Sequence, residues 1–439
     1  MAKEIQENLI SLCKRRGFIF QTSEIYGGLQ SFYDYGPLGV ALKRNIKKLW
    51  WKEMVQKHAE IVGLDSSILM HPKTWQASGH LKSFTDPLVE CRACHKRFKA
   101  DELDSDKCPD CQGELTESKD FNLMFKTFMG STKDTASEVY LRPETAQGIF
   151  VNFKNILQST RLSLPFGIAQ IGKAFRNEIT SGNFIFRIKE FEQMELEYFV
   201  NPKNADKIHK EWQKKRLDWY IDLGINKKNI RLEKHSKDEL AHYAKACSDV
   251  EYKFPFGWSE IEGIANRQDF DLVQHSKYSQ KDLIYQDPQT NEKFTPYIIE
   301  PSAGVERPLF AFLMDAYHEV GGGRGKGSNK KKEIVLRLDK RLSPIKVAIF
   351  PLIKKKPLQK LAREIFNDLK NIWMCQYDET GSIGKRYRRQ DEVGTPYCIT
   401  VDFDSLDDKS VTIRDRDTME QDRIKINELE SYLRENLGF

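Results

Sequence analysis

Between Phe175 and Phe199 the chain reads FRNEITSGNFIFRIKEFEQMELEYF, two stretches of alternating apolar and charged side chains around a Thr-Ser-Gly-Asn break. Such alternation demands extended backbone, because successive side chains of a strand point to opposite faces, and the small polar break joins the two strands as a hairpin. Even spacing then puts Arg176 and Glu178 on one face of the first strand, and Arg187, Phe191 and Glu195 on one face of the second. That face carries two guanidinium forks, a flat ring and two carboxylates. Forks suit phosphate oxygens, a ring suits a nucleobase and carboxylates suit an amine, so a nucleotide together with an amine would use every group. An amphipathic hairpin with solvated ion pairs satisfies the same pattern.

The remaining sequence supplies room for two or three domains at ~150 residues each. Its 439 residues, 39% hydrophobic and 31% charged, have a globular composition. No apolar run approaches the ~18 residues of a membrane span. The start, MAKEIQENLISLCKRRGF, lacks the apolar core of a signal peptide and carries Glu4 and Glu7, so a cytoplasmic protein without membrane contact is expected. A net charge of +6, from 70 basic against 64 acidic residues, permits a polyanionic partner without demanding one.

Along the chain, Tyr35-Gly36-Pro37-Leu38-Gly39 reads as a turn opening a helix with Val40, Ile46, Trp50 and Met54 at helical spacing. Residues 203 to about 248 are charged, with Ile208, Trp212, Trp219 and Leu223 spaced for a surface helix packed by one stripe. GGGRGKGSNKKK, residues 321–332, reads as a flexible basic linker. It is not a phosphate-binding P-loop, since Gly325-Lys326 is followed by glycine rather than Ser or Thr and no strand feeds it. Beyond it, SPIKVAIFPLI, PLQKLAREIFNDLKNI, TPYCITVDF and SVTIRDR alternate strand and helix as a separate α/β unit.

Four of eight cysteines are isolated, which argues against a disulfide framework. The other four, Cys91, Cys94, Cys108 and Cys111, form two C-x-x-C knuckles thirteen residues apart, a spacing that can surround one structural Zn²⁺; an insertion without metal is the alternative. In the last unit, Lys385, Arg386, Arg388 and Arg389 surround Tyr387, which suits a single-stranded RNA loop and equally a solvated turn. Glu144, in a Pro-Glu-Thr turn, can be read alone as a helix-start residue.

The order Arg176-Asn177-Glu178, a loop, then Arg187 to Phe191 resembles motif 2 of the class II aminoacyl-tRNA synthetases. YDYGPLGVALKRNIKKLWW resembles their motif 1, with Pro37 in the proline position, and EPSAGVERPLFAFLMDAY their motif 3, with a strand ending at Gly304 and a helix beginning after Arg307. Val305 and Glu306 stand where that motif is usually richer in glycine. YDYGPLG, LRPETAQGIF, GWSEIEGIANRQDFDL and IIEPSAGVER narrow the resemblance, over essentially the whole chain, to the homodimeric glycyl branch.

The resemblance implies an α+β catalytic domain with an antiparallel sheet over residues 1–335, carrying a Cys₄ insertion at about 83–135 and a helical insertion at about 203–248. A C-terminal α/β anticodon-binding domain would occupy 340–439. It further implies glycine, ATP with Mg²⁺, and tRNA(Gly) as substrates, and a homodimer. Arg176 and Arg307 would be catalytic. ATP would be held by Arg176, Asn177, Glu178, Phe186, Arg187, Ile188, Phe191, Glu260, Ile261, Gly304 and Arg307, and glycine by Glu144, Phe191, Glu195, Glu300, Pro301, Ser302 and Gly304. Lys99-Ala100-Asp101 stands where the family has Arg-Ala-Asp near the amino acid. Two rivals predict no glycine-dependent exchange of pyrophosphate into ATP: a non-catalytic synthetase-like subunit, and a zinc-ribbon RNA-binding protein.

Overall fold

The alternating segments build a seven-stranded sheet: β1 (Ile61–Gly63), β2 (Phe166–Phe175), β3 (Glu190–Val200), β4 (Ile230–Lys234), β5 (Ala246–Phe254), β6 (Gly257–Gln268) and β7 (Tyr297–Gly304), in the order β4-β5-β6-β7-β3-β2-β1. Neighbours are antiparallel except the short β1, which runs parallel to β2. The computed structural model describes residues 2–438 apart from 104, 132–136, 180–181, 237, 239, 241–242 and 322–331.

The helices that flank the sheet among the described residues include α1 (Pro37–Trp51), α2 (Ala146–Val151), α3 (Ala205–Asp222), α4 (Phe270–Ser279) and α5 (Glu306–Ala316). Pro37 opens α1, as the turn predicts, where a missing N–H costs nothing. A Cβ on Gly39 would lie 1.9 Å from the Phe18 carbonyl oxygen, so only glycine lets α1 sit against the N-terminal segment. The buried stripe of α1 and the turn after it is Leu42, Ile46, Trp50 and Met54; Val40, expected in it, is exposed. Six residues separate Val40 from Ile46, about 240° around a helix, whereas Leu42 lies one turn before Ile46.

The strand β3 shows how the sheet is divided. Met194, Leu196, Tyr198 and Val200 point into an apolar core shared with Ile46, Trp212 and Leu309. Each such buried side chain contributes roughly 1.5–3 kcal/mol. Residues of the other parity face the opposite layer, where Phe199 packs with Phe150, Phe166 and Leu272, and there the polar residues of β3 lie.

Helix covers only Ala205–Asp222 of the segment 203–248 expected to be helical, because β4 and the start of β5 extend the sheet edge. Within those bounds α3 is a surface helix packed by one stripe, as the spacing predicts, with Asp206, Lys210, Lys214 and Asp218 exposed on its outer face. Trp212, Trp219 and Leu223 are buried in that stripe as expected, and the polar His209 and Arg216 and the ring of Tyr220 share it. Arg216 grips the buried Glu262 of β6, Nη2 to Oε2 at 3.0 Å, and the Tyr220 hydroxyl donates to the same oxygen at 2.8 Å.

The basic glycine-rich segment lies outside the described residues from 322 to 331. Its flanks pair antiparallel, Tyr317↔Leu336 to Gly321↔Lys332, so a strand does feed it, contrary to the sequence expectation, and it joins two strands of one hairpin rather than two domains. Past this hairpin, β8 (Val347–Pro351), β9 (Cys375–Tyr377), β10 (Tyr397–Val401), β11 (Ser410–Asp415) and β12 (Gln421–Lys425) form a mixed sheet ordered β9-β8-β10-β11-β12. It has its own core of Val347, Ile349, Leu358, Ile365, Ile399, Val411 and Leu433. Arg16 donates to Glu392 at 2.7 Å and Arg341 to Asp222 at 2.7 Å across the junction. Among the described residues no helix is long and apolar enough to cross a membrane.

Candidate active site

The polar parity of β3 forms the floor of a cleft of about 300 Å³, closed by β5, β6, β7 and the start of α5. Every residue expected to hold nucleotide or glycine lines it except Asn177 and Pro301. The Asn177 side chain instead accepts from Lys189 Nζ at 3.1 Å. Pro301 falls between Glu300 and Ser302 on β7 and so faces the other side of the sheet.

One end of the cleft gathers carboxylates. Glu195 accepts from the Thr145 backbone N–H at 3.0 Å, from the Thr145 hydroxyl, and from the Ser302 hydroxyl at 2.8 Å on the paired strand. Glu300 takes Arg267 Nη1 on both oxygens, at 3.1 and 3.0 Å, while the other edge of that guanidinium holds Asp271 at 2.8 and 2.9 Å. Glu144, just before α2, lies 3.4 Å from His80 Nε2 and accepts from Gln147 at 2.9 Å.

Crowding sets their protonation. Burial pushes Glu300 up to about 8, with Arg267 pulling against it and Glu195 and Glu144 adding to the push. Glu195 is also raised, by burial and then by Glu144. Burial would raise Glu144 too, but His80 and Arg267 hold it well below the carboxylate range. Acceptors that repel one another in this way favour an incoming cation of ammonium size. Behind them Glu197 is fully buried with neither oxygen hydrogen-bonded, and burial followed by Glu300 raises it far above the usual range.

The other end gathers arginines and rings. Strand β2 stops at Phe175, so Arg176 and Glu178 lie beyond it rather than on one strand face, and Arg187 precedes β3. The cause is a change of hydrogen-bond partner: Arg176 N still reaches Lys189 O, but Asn177 N goes to Leu123 O and Lys189 N to Ser31 O. Asn183 and Phe184 adopt φ of 58° and 60°, left-handed backbone that an aromatic residue rarely takes. They turn Phe186 and Arg187 into the cleft. Arg176 donates from Nε to Pro143 O at 3.0 Å and lies 5.5 Å from the ring centroids of both Phe84 and Phe191. Arg307 sits 4.6 Å over Phe186 and donates to Glu260 Oε2 at 2.7 Å; α5 begins at Glu306, one residue before this arginine rather than after it. Arg187 donates to Glu102 of the cysteine-bearing segment at 2.9 Å.

That segment folds as a three-stranded sheet with two knuckles. Cys91 and Cys111 Sγ are 3.4 Å apart, Cys94 and Cys108 Sγ 3.7 Å, and all four lie within 4.8 Å of one another. Zn–S bonds of ~2.3 Å require tetrahedral edges of ~3.8 Å, so the four sulfurs fit the ion. Lys99 pairs with Asp86 at 3.3 Å and Asp101 at 3.4 Å and does not line the cleft.

The basic string of the last unit is a helix, α6 (Ile383–Val393), not a loop or turn. Arg386 is buried and donates to Pro351 O and, at 3.1 Å, to Gly381 O. Tyr387 hydrogen-bonds Thr400 at 2.6 Å and packs between Phe350 and Arg414. Neither is available to a base, which leaves Lys385 and Arg388 on the outer side.

Sequence reasoning passed over His80, Phe84, Gln193, Tyr243 and Arg267. Two signals were available: Gln193 shares the parity of Phe191 and Glu195, and Arg267 and Asp271 are four apart at a strand-to-helix junction.

Comparison with known proteins gives three results. The profile of the anticodon binding domain matches residues 346–436. A glycine–tRNA ligase from Treponema denticola is 55% identical over 434 residues, covering 98% of this chain and 96% of that protein, and one from Thermobifida fusca is 51% identical over 456 residues, covering 99% and 98%. Prolyl-tRNA synthetase from Cryptosporidium parvum, solved with halofuginone and AMPPNP, superposes with a TM-score of 0.67 at 17% identity over 98% of this chain and 76% of its own, a likeness of fold alone.

Proposed function

The chain belongs to the glycine–tRNA ligase family, and from that premise we propose how its cleft carries the family's reaction. The enzyme joins glycine to ATP, giving glycyl-adenylate and pyrophosphate, and passes the glycyl group to the 3′ end of tRNA(Gly). It combines the class II synthetase fold with a C-terminal anticodon-binding domain. We place the division at 1–335 and 340–439.

The observation that carries the assignment of roles is the polarity of one cleft: cations and rings at one end, carboxylates at the other. Adenine stacks on Phe191 with Arg307 over its opposite face, and Glu178 accepts from its amino group. Arg176 spans the α-phosphate and the glycine carboxylate, and Arg187 reaches the γ-phosphate. ATP enters as its Mg²⁺ complex. Attack by the glycine carboxylate on the α-phosphorus needs no covalent help from protein; holding the two ends in line and neutralising charge supply the acceleration. Arg307 exchanges Glu260 for nucleotide as ATP enters. Glu144, Glu195 and Glu300 accept the three ammonium hydrogen bonds, and Ser302, already donating to Glu195, fixes that carboxylate. In the second step the ribose hydroxyl attacks the glycyl carbonyl, a phosphate oxygen of the adenylate takes its proton, and the carbonyl–phosphate bond breaks to release AMP.

Cys91, Cys94, Cys108 and Cys111 would hold a structural Zn²⁺, whose contribution when bound is to fix a segment with little core of its own. A homodimer is supported by Ile25, Tyr26, Leu29 and Val40, apolar side chains exposed just before and within the first turn of α1. A cytoplasmic location accords with the translation substrates. The test is amino-acid-dependent exchange of pyrophosphate into ATP: glycine supports it and alanine does not. Equal rates with both would overturn the amine-pocket assignment.

A further inference from the structure

The cleft has a wall that the reaction above leaves without a role. Cys247 and Asp249 are two apart on β5 and so share a face. His235 follows β4 by one residue, and its backbone N–H donates to Cys247 O at 3.1 Å, which sets it directly across from that cysteine. On this face His235 Nε2 lies 2.8 Å from Asp249 Oδ2, and Cys247 Sγ lies 3.9 Å from Asp249 Oδ1. One nitrogen, one sulfur and one oxygen fall within 4.8 Å of each other, all three side chains part-buried and all three lining the substrate cleft.

A histidine–aspartate hydrogen bond with a cysteine as filler accounts for two of the three. It does not account for a thiol placed on the aqueous side of a sheet, beside a carboxylate rather than in an apolar core. Tetrahedral Zn²⁺ with bonds of ~2.0–2.3 Å needs ligand separations of ~3.3–3.8 Å, close to those found here, so small rotations of the three side chains would admit the ion. A second carboxylate stands by. Oδ1 of Asp249 and Oε1 of Glu260 flank the same glycine, 3.7 and 3.6 Å from where a Cβ on Gly263 would be. Glu260 is also the partner of Arg307.

We propose that His235, Cys247 and Asp249 form a second metal site, for a thiophilic divalent cation such as Zn²⁺, with its fourth position open to the cleft. Sulfur and imidazole select such an ion over Mg²⁺, which prefers oxygen donors, so the site is distinct from the metal that accompanies ATP. It is distinct too from the four-cysteine cluster, which has no open position. An ion here adds positive charge beside Glu260 and draws that carboxylate, narrowing the nucleotide end of the cleft. Occupancy therefore inhibits, in competition with ATP rather than glycine.

The test uses the full-length protein, stripped with chelator and titrated with Zn²⁺, and with Co²⁺ to read thiolate coordination from its absorption. Wild type takes up two equivalents; His235→Ala and Cys247→Ser each take up one. Pyrophosphate exchange, normalised for each protein to its own rate before Zn²⁺ is added beyond one equivalent, is inhibited in wild type and is about 10- to 100-fold less sensitive in Cys247→Ser. Raising ATP relieves the inhibition. Equal uptake by wild type and Cys247→Ser, or equal sensitivity to Zn²⁺, overturns the site; relief by glycine instead of ATP overturns its placement. Uptake is read without any turnover, so a failure here is separable from a failure of the reaction assigned above.

Discussion

Arg267→Met removes a single cation from between two carboxylates. The side chain is 2% exposed, makes four hydrogen bonds to Asp271 and Glu300, and lies 3.9 Å over the Tyr243 ring. Methionine keeps most of the volume, so the loss is electrostatic. Breaking a buried ion pair by deleting one partner costs about 3–5 kcal/mol, and because one guanidinium serves both acids the two losses do not simply add. Glu300, pushed up to about 8 even with Arg267 as its restraint, is raised further, so an incoming ammonium ionises it at greater cost. As a neutral acid it still accepts from an ammonium, but without the charge that strengthens the bond. Outright loss of one hydrogen bond to a charged group is worth about 1.5–3 kcal/mol, which bounds the rise in the KM for glycine at about 10- to 150-fold. The assay is pyrophosphate exchange at saturating ATP with glycine varied, alongside a denaturation midpoint. The KM for ATP stays near the wild-type value. A variant that is destabilised yet binds glycine as wild type does would refute the argument that Arg267 eases the ionisation of Glu300 by the substrate.

Arg176→Ala removes the fork assigned to the α-phosphate and is expected to lower kcat by about 10²–10³, the usual loss for one donor aimed at developing charge; a full rate in single-turnover adenylate formation would contradict it. Glu197 and Glu300 are both raised in the folded chain, so from roughly pH 4.3 upward, where an unfolded glutamate has released its proton, the folded state binds more protons and stability falls as pH rises toward about 8 and beyond. Glu197→Gln deletes one of these groups and flattens the fall, measured as urea midpoints between about pH 5 and pH 9; curves parallel to wild type would show that Glu197 does not titrate there. Glu102→Ala frees Arg187 from a part-exposed ion pair worth at most ~1 kcal/mol, so the KM for ATP is expected to fall by about two- to fivefold with the KM for glycine unchanged.

Much of the cleft was legible because the sheet obeys parity. Once Phe191 and Glu195 are on one strand, their shared face follows from the spacing, and Met194 and Leu196 must point into the core. The hairpin's inner ends were not legible: Arg176, Glu178 and Arg187 leave the ladder because Leu123 and Ser31, distant in sequence, offer the hydrogen bonds. His80 and Arg267 were missed for a related reason, since each meets a glutamate contributed by another segment. The basic string misled because alternating charge around Tyr387 looks the same on a helix, where Arg386 turns inward to cap carbonyls, as on an RNA-binding loop. At position 99, lysine in place of arginine was visible in sequence; its pairing with Asp86 was not.

The central claim is that one cleft holds adenine between Phe191 and Arg307 while three glutamates hold an amine at the far end. A crystal structure with a non-hydrolysable glycyl-adenylate analogue tests it most directly. The account predicts the purine on Phe191 with Arg307 turned from Glu260 onto its other face, Arg176 against the bridging group, and the ammonium within hydrogen-bonding distance of Glu144, Glu195 and Glu300. An analogue bound in the reverse sense, or an ammonium facing solvent with those carboxylates untouched, would contradict it.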